Sequence, residues 1–175
     1  MQPAPSVSIE TASPEDAAAL SQFAADIFRT SFADDNSAEN MNLYLRRNFS
    51  ESIQAAQIAD PNVEIKIVRQ DDAIVGYLQL AHQEPPPITK TMPSSCQLWR
   101  IYVAAHLQGS GIGKRLIETA AELARGKAEE LWLAVWDQNT DAIRFYLRLG
   151  FRDIGVTEFH LGDEVQYDRV LSLTL

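Results

Sequence analysis

Arg100-Ile-Tyr-Val-Ala-Ala-His-Leu-Gln-Gly-Ser-Gly-Ile-Gly-Lys114 is the stretch of this 175-residue chain whose residue types and spacing are best suited to chemistry. A strand pattern ends at Val103, glycines follow at alternate positions (Gly109, Gly111, Gly113), and an apolar helical pattern begins. Glycine lets backbone approach a ligand closely, and the first N–H groups of a helix are unpaired and carry the positive end of its dipole. The turn therefore reads as an anion site, completed by Lys114 and Arg115. Read only as a strand-to-helix connection, it holds more glycine than a tight turn needs.

Two nucleotide motifs were weighed for that anion. A Walker loop needs Gly-x-x-x-x-Gly-Lys-Ser/Thr, but Gln108 stands five residues before Gly113, and Arg115 follows Lys114 where a magnesium-binding hydroxyl belongs. A dinucleotide fingerprint needs a third glycine where Lys114 stands, although Glu130 lies at about the right distance to be a ribose carboxylate. Neither motif fits, and a nucleotide-binding protein stays only as an alternative.

A second informative stretch is Leu131-Trp-Leu-Ala-Val-Trp-Asp-Gln-Asn-Thr-Asp-Ala-Ile-Arg-Phe-Tyr-Leu-Arg-Leu-Gly-Phe151. It reads as a strand, then Asn139, then a helix with Ala142, Phe145, Tyr146 and Leu149 on one face, ended by Gly150. By spacing alone Asn139 is a helix N-cap and Tyr146 a core aromatic. Cys96 is the single cysteine, so no intrachain disulfide and no cysteine zinc cluster is expected. His82, His106 and His160 are not spaced as metal ligands, and no metal is expected.

The elements that must position these residues are legible in outline. A strand is expected over 7–10. A helix start follows, with Ser13 as cap and Pro14 in the first turn, running to about Phe32 with Leu20, Phe23, Ile27 and Phe28 on one face. Asp34-Asp-Asn-Ser37 breaks it, a helix resumes to about Phe49, and a shorter one ends before Asp60-Pro61. A hairpin spans 63–68 and 73–80 around Asp71-Asp72, and an irregular proline-rich stretch covers 85–95. Then come a strand over 98–103, the glycine turn, a helix over 112–125, a strand over 131–136, a helix over 139–149 and two strands around 151–159 and 166–173. Leu161-Gly-Asp-Glu164 turns the last hairpin.

Composition sets the class. Hydrophobic residues are 46% and charged ones 22%, so the chain is globular, and its length suits one domain over 1–175. Asp+Glu (24) exceed Lys+Arg (15), a net charge of -9 that disfavours nucleic acid and anionic membrane as partners and favours a cationic one. No apolar run is long enough to span a bilayer, and Met1-Gln-Pro-Ala-Pro-Ser lacks the features of a signal peptide, so the expected compartment is the cytoplasm.

Gln108-Gly-Ser-Gly-Ile-Gly113 matches the pattern Arg/Gln-x-x-Gly-x-Gly/Ala. With Asn139, Ala142, Phe145-Tyr146 and Gly150-Phe151 following in that order, the chain resembles the Gcn5-related N-acetyltransferases (GNAT superfamily). Ser31-Phe32 through Asn48-Phe49 and Phe159-His-Leu-Gly-Asp-Glu-Val-Gln-Tyr-Asp168 are similar to PaiA-type polyamine N-acetyltransferases, which extends the resemblance over nearly the whole chain.

The resemblance implies an α/β GNAT fold: a mixed, mostly antiparallel central sheet of about seven strands, flanked by about four helices, in which the parallel strands 98–103 and 131–136 splay apart. It implies acetyl-CoA as cosubstrate, no metal, and a small-molecule amine as acceptor, with a homodimer left open. The cofactor-binding residues it implies are Ile101, Tyr102, Val103, Gln108, Gly109, Ser110, Gly111, Ile112, Gly113, Lys114, Asn139 and Tyr146. Ile101 and Val103 would pair through their backbones with the pantetheine arm as with an added strand. Asn139 would sit near the thioester, and Tyr146 would protonate the departing thiolate. One departure is chemical: Gln97 and Trp99 stand where polyamine enzymes commonly carry glutamates, so the group that deprotonates the amine is unassigned, with Glu84 and Asp34 as candidates. The acidic Asp34, Asp35 and Glu39 read as a solvated segment or as an attractor for a cation. The other readings kept are acetylation of an amino-acid or peptide amine, and a non-catalytic acyl-CoA sensor on the same fold.

Overall fold

The computed structural model describes residues 6–88 and 94–175. The opening Met1-Gln-Pro-Ala-Pro and the middle of the expected irregular stretch, 89–93, lie outside the described residues. Seven strands form one sheet: β1 (Ser8–Thr11), β2 (Val63–Gln70), β3 (Ala73–His82), β4 (Ser95–Val103), β5 (Glu130–Trp136), β6 (Arg152–Leu161) and β7 (Glu164–Thr174). Their order is β1-β2-β3-β4-β5-β7-β6, and every neighbouring pair is antiparallel except β4 with β5. The expected mixed sheet with a parallel central pair is therefore what the chain builds. β4 starts at Ser95, three residues before the expected start, because Ser95, Cys96 and Gln97 pair with both neighbours' ends or, for Ser95, with β5 alone.

Five α-helices cover the two faces: α1 (Ala17–Phe32), α2 (Ala38–Phe49), α3 (Glu51–Ala59), α4 (Ile112–Ala124) and α5 (Thr140–Arg148). α2 and α3 are two helices rather than one because Ser50 between them is extended, at φ -62° and ψ 156°. No helix among the described residues is long and apolar enough to cross a membrane.

Each face has its own core. Leu116, Ile117, Ala120 and Ala124 of α4 pack with Tyr146 of α5 against Leu78, Leu80, Leu98 and Leu133. On the other face Leu20, Ala24 and Phe28 of α1 and Met41, Leu45 and Phe49 of α2 pack against Ile65, Ile67 and Tyr77. β3 lies between the two and is buried from Val75 to Ala81, so it reads as an apolar run rather than as an alternation. On α1 the fully buried stripe is Ala17, Leu20, Ala24 and Phe28; Phe23 and Ile27, expected on that stripe, are only partly buried at its edge.

The entry to α1 differs in detail from the cap expected. Residues Pro14–Asp16 make a 3-10 turn, and the acceptor is the Asp16 carboxylate, which takes the Ser13 backbone N–H at 2.8 Å and the Ser13 hydroxyl at 3.0 Å. Arg69 of β2 also donates to Asp16, tying the helix start to the sheet. Burial pushes the Asp16 carboxyl up, but these bonds from Ser13 and Arg69 outweigh it and hold it below its ordinary value. A depressed folded-state pKa contributes stability above about pH 4 that disappears as pH falls through the folded value. Asp16→Asn should therefore lower the unfolding free energy at pH 7 by roughly 1–3 kcal/mol. The gap should narrow below about pH 3 in urea titrations; a gap that is constant with pH would contradict the assignment.

Candidate active site

The parallel pair is where the sheet opens. β4 and β5 are paired only through Ser95–Glu130, Cys96–Leu131 and Gln97–Trp132. Beyond that point β5 stays paired with β7 as far as Trp136–Asp168, and β4 stays paired with β3 as far as Val103–Gly76. Each strand keeps its outer neighbour and loses its inner one. A bulge marks the parting: Gln79 opposes Arg100 and Leu80 opposes Leu98, so Trp99 is the extra residue, and its side chain is 42% exposed.

Backbone direction on the freed edge follows from two hydrogen bonds. The Ala104 N–H donates to the Val75 carbonyl at 2.8 Å, so Ala104 faces β3, and so does Tyr102 two residues earlier. Ile101 and Val103 then turn their N–H and C=O groups away from β3, into the opening. The Gln108 side chain confirms this for Val103, whose carbonyl it reaches at 3.1 Å. The Tyr102 ring stacks on Tyr77 with ring centroids 5.7 Å apart.

The opening continues into a cavity of ≈ 380 Å³. Its walls include Ile101, Val103, Gln108, Asn139 and Tyr146 from the motif segments, and Ile27, Phe32 and Tyr44 from α1 and α2. The cavity thus brings together Ile101, Tyr102, Val103, Gln108, Asn139 and Tyr146 of the expected site; Gly109 to Lys114 follow Gln108 in the chain and are not part of its wall.

Those residues form the start of α4. Gly109 and Gly111 have φ of +79° and +90°, and a Cβ at either would meet nothing within 4 Å. Glycine suits the left-handed backbone there, and no neighbouring protein atom would meet a side chain. Gly113 has no positive φ, and a Cβ there would meet Phe145 Cζ at 3.4 Å, an ordinary packing contact. Gly111 is the N-cap and no side chain caps the helix, which leaves the N–H groups of Ile112, Gly113 and Lys114 without an intrahelical partner. The Ile112 side chain itself is buried in the core. Ser110 and Lys114 are exposed, and Lys114 Nζ lies 3.7 Å from Glu118. Arg115, read from the sequence as part of the anion site, lies instead in a surface depression with Ile9, Lys66 and Glu118.

Asn139 is the N-cap of α5: its Oδ1 accepts the Ala142 N–H at 3.2 Å. The residue also lines the cavity. Tyr146, two turns further along, packs its ring edge-on against Phe145 and Phe151, at 5.3 and 5.6 Å, while lining the cavity. Burial pushes its phenol well above the ordinary value, so the hydroxyl stays protonated.

The proposed deprotonating groups are elsewhere. Glu84 is exposed on the connection after β3, where its carbonyl accepts the Ser95 hydroxyl and the Trp132 indole N–H. Asp34, Asp35 and Glu39 are exposed on the 3-10 turn after α1 and at the start of α2. Among the described residues that line the cavity, the one carboxylate is Asp168 of β7, opposite Trp136. Burial, and then the neighbouring Asp137 charge, push it up to about 6. Tyr44 stands within electrostatic reach of it and of Arg100.

Arg100 is buried and also lines the cavity. Its guanidinium is held by Gln57 and Gln79 at 3.3 and 3.1 Å and lies 4.4 and 4.8 Å from the ring centroids of Phe49 and Trp99. It locks α3 and the end of α2 to the freed strand. Below the opening, Cys96 and His82 form a chain the sequence did not reveal. Cys96 Sγ is 2.8 Å from His82 Nδ1, and His82 Nε2 is 2.6 Å from Glu64, which also accepts from Lys127 at 2.6 Å. Burial pushes the Cys96 thiol up to about 11, so it serves there as a hydrogen-bond donor.

Comparison with known proteins accords with this geometry. Residues 23–151 match the family model described as Acetyltransferase (GNAT) family. An uncharacterized N-acetyltransferase in the pepI 3' region of Lactobacillus delbrueckii subsp. lactis is 32% identical over 151 residues, covering 86% of this chain and 87% of that one. The spermine/spermidine N(1)-acetyltransferase of Bacillus subtilis is 36% identical over 70 residues, 38% of this chain and 44% of that one. The crystal structure of PaiA N-acetyltransferase from Thermoplasma acidophilum in complex with coenzyme A superposes with a TM-score of 0.77 at 20% identity, covering 97% of this chain and 99% of that one.

Proposed function

Because the chain belongs to the acetyltransferase (GNAT) family, we propose that it transfers the acetyl group of acetyl-CoA to the primary amine of a small cationic acceptor, with polyamines as the favoured class. The observation that carries this reading is the parted β4–β5 pair, with the backbone groups of Ile101 and Val103 turned into the gap. An extended, amide-bearing arm laid there completes the hydrogen bonding of β4 as a third strand would. A pyrophosphate fits the start of α4, where unpaired N–H groups and the helix dipole meet the turn from Gln108 to Lys114. Polyamine specificity is supported by the aromatic cavity wall, by the net charge of -9 and by the partial similarity to the Bacillus subtilis enzyme.

Bound acetyl-CoA supplies an activated acetyl group and a thiolate leaving group. Asn139 offers its amide N–H toward that group while its oxygen caps α5. Tyr146 holds a proton at its hydroxyl and gives it to the departing sulfur. Burial raises the basicity of a thiolate as it raises that of a phenolate, so the two stay matched inside the site although their ordinary values differ.

Two variants test these roles. Gly111→Asp puts a carboxylate beside the unpaired N–H groups of α4, while Gly111→Ala carries the same backbone cost without charge. Acetyl-CoA affinity, measured by calorimetry, should be about tenfold or more weaker for the aspartate than for the alanine variant; equal affinities would contradict phosphate binding at this turn. Tyr146→Phe keeps the ring packing and removes the proton donor. Its turnover number should fall on the order of 10²–10⁴-fold with little change in melting temperature or acetyl-CoA affinity. A folded variant with more than about a third of wild-type turnover would instead make Tyr146 a core aromatic.

A further inference from the structure

We propose that Asp168 is the catalytic carboxylate of the cavity: it receives the acceptor's ammonium group and takes its proton. The inference rests on the acetyltransferase reading above and supplies the group that Gln97 and Trp99 leave missing. Three observations carry it. Asp168 is the one carboxylate on the cavity wall among the described residues. It sits at the last β5–β7 pair, opposite Trp136, level with the opening and three residues in β5's direction before the Asn139 cap. Its surroundings make it basic enough to accept a proton yet charged at neutral pH: burial and the Asp137 carboxylate raise it, and Tyr44 of α2 faces it as a neutral phenol. Arg100 of β4 acts on the same Tyr44 from the other side, and Thr157, the β6 neighbour of Asp168, does not titrate.

Asp137 has a second consequence. Although off the cavity wall, its charge adds to the negative potential at Asp168, which favours entry of the amine as ammonium. Once it is bound, one N–H bond breaks and the proton passes to Asp168. The freed nitrogen lone pair forms the C–N bond at the thioester carbon, and the C–S bond breaks. The nitrogen's second proton leaves as the amide forms. The thiolate takes one proton through Tyr146, which regains one from that second proton, and Asp168 releases its own to solvent. The balance is ammonium plus thioester to amide, thiol and one proton.

The α2 contacts hold this end of β7 in place. Asn40 donates to Asp163 and Glu164 at 2.5 and 3.2 Å, and Gln166, two residues before Asp168, donates to Asn36 at 2.9 Å. Asp168 is thereby fixed relative to the α1–α2 wall that an acceptor chain would cross.

The test is kcat/KM for the amine at saturating acetyl-CoA, from pH 5 to 9, using butylamine, 1,4-diaminobutane, spermidine and lysine as probes. The wild type should lose activity below about pH 6 and be level between about 7 and 9, because it binds ammonium and carries its own base. Asp168→Asn should be on the order of 10²–10⁴-fold slower at pH 7. It should climb about tenfold per pH unit toward the amine's own pKa, because only free amine reacts. Binding gives a second readout: calorimetric affinity for the best of the four amines should fall about tenfold in the variant, with acetyl-CoA affinity unchanged. A variant with wild-type rate and profile overturns the role of Asp168 and leaves the acetyltransferase reading standing. Wild-type protein that binds acetyl-CoA but acetylates none of the four amines overturns the amine-acetylation reading and this proposal with it. Should Asp168→Asn fail to fold, the wild-type profile decides: a level rate between pH 7 and 9 supports the proposal, and a steady tenfold climb overturns it.

Discussion

Backbone hydrogen-bonding groups must be paired or solvated, and the inner edges of β4 and β5 are where this chain leaves that demand open. Parallel neighbours in the middle of a sheet normally pair along their length. Here they part after Gln97 and Trp132, each held by its outer partner, β3 on one side and β7 on the other. The Trp99 bulge and the buried Arg100 keep the gap from closing. Arg100 is anchored to Gln79 of β3 and Gln57 of α3, so moving β4 toward β5 would pull a buried cation away from its partners. The cost of burying that charge is offset by charge-assisted hydrogen bonds and by contact with the Phe49 and Trp99 rings.

The rest of the site is arranged around that edge. α4 follows β4 after a 3-10 turn at Ala105–Leu107 and the glycine turn, whose first residue, Gln108, is on the cavity wall and reaches the Val103 carbonyl. α5 begins just past the end of β5 with Asn139 as its cap, and two turns later it brings Tyr146 to the cavity wall. α4 and α5 contribute to the same hydrophobic core, so the glycine turn and Tyr146 rest on one packed layer. The opposite wall comes from α1 and α2, where Phe28 stacks on Tyr44 at 4.8 Å and packs at a tilt on Phe32 at 4.7 Å. On the proposed reading, cofactor-side and acceptor-side functions fall on different segments of the chain, and acceptor specificity can change with α1, α2 and the last hairpin while the gap stays as it is.

The sequence was most legible where function and local structure coincide. The alternate glycines, the Asn139 cap and the Ala142–Phe145–Tyr146–Leu149 stripe are spaced by the geometry of single elements, so they announce themselves. What depends on strand order was not legible. Asp168 lies 29 residues beyond Asn139 and becomes part of the cavity only because β7 inserts between β5 and β6. The Cys96–His82–Glu64 chain needs β2, β3 and β4 to be neighbours, and nothing in the spacing of the three residues says so. The Trp99 bulge has no composition signal, since one extra residue leaves an apolar strand looking like an apolar strand. Glu84 and the Asp34, Asp35 and Glu39 segment stand in a loop, a turn and a helix start, where acidic residues are conspicuous, whereas the carboxylate on the cavity wall is single and half-hidden in an alternating strand.

The central claim is that the freed edge of β4 accepts an extended ligand arm as a strand. Amide hydrogen exchange read residue by residue tests it directly, with and without saturating coenzyme A. The account predicts that exchange at Ile101 and Val103 slows on ligand addition, while Tyr102 and Ala104, which face β3, are already protected and change little. Unchanged exchange at Ile101 and Val103 in protein shown by calorimetry to be saturated with coenzyme A would contradict it.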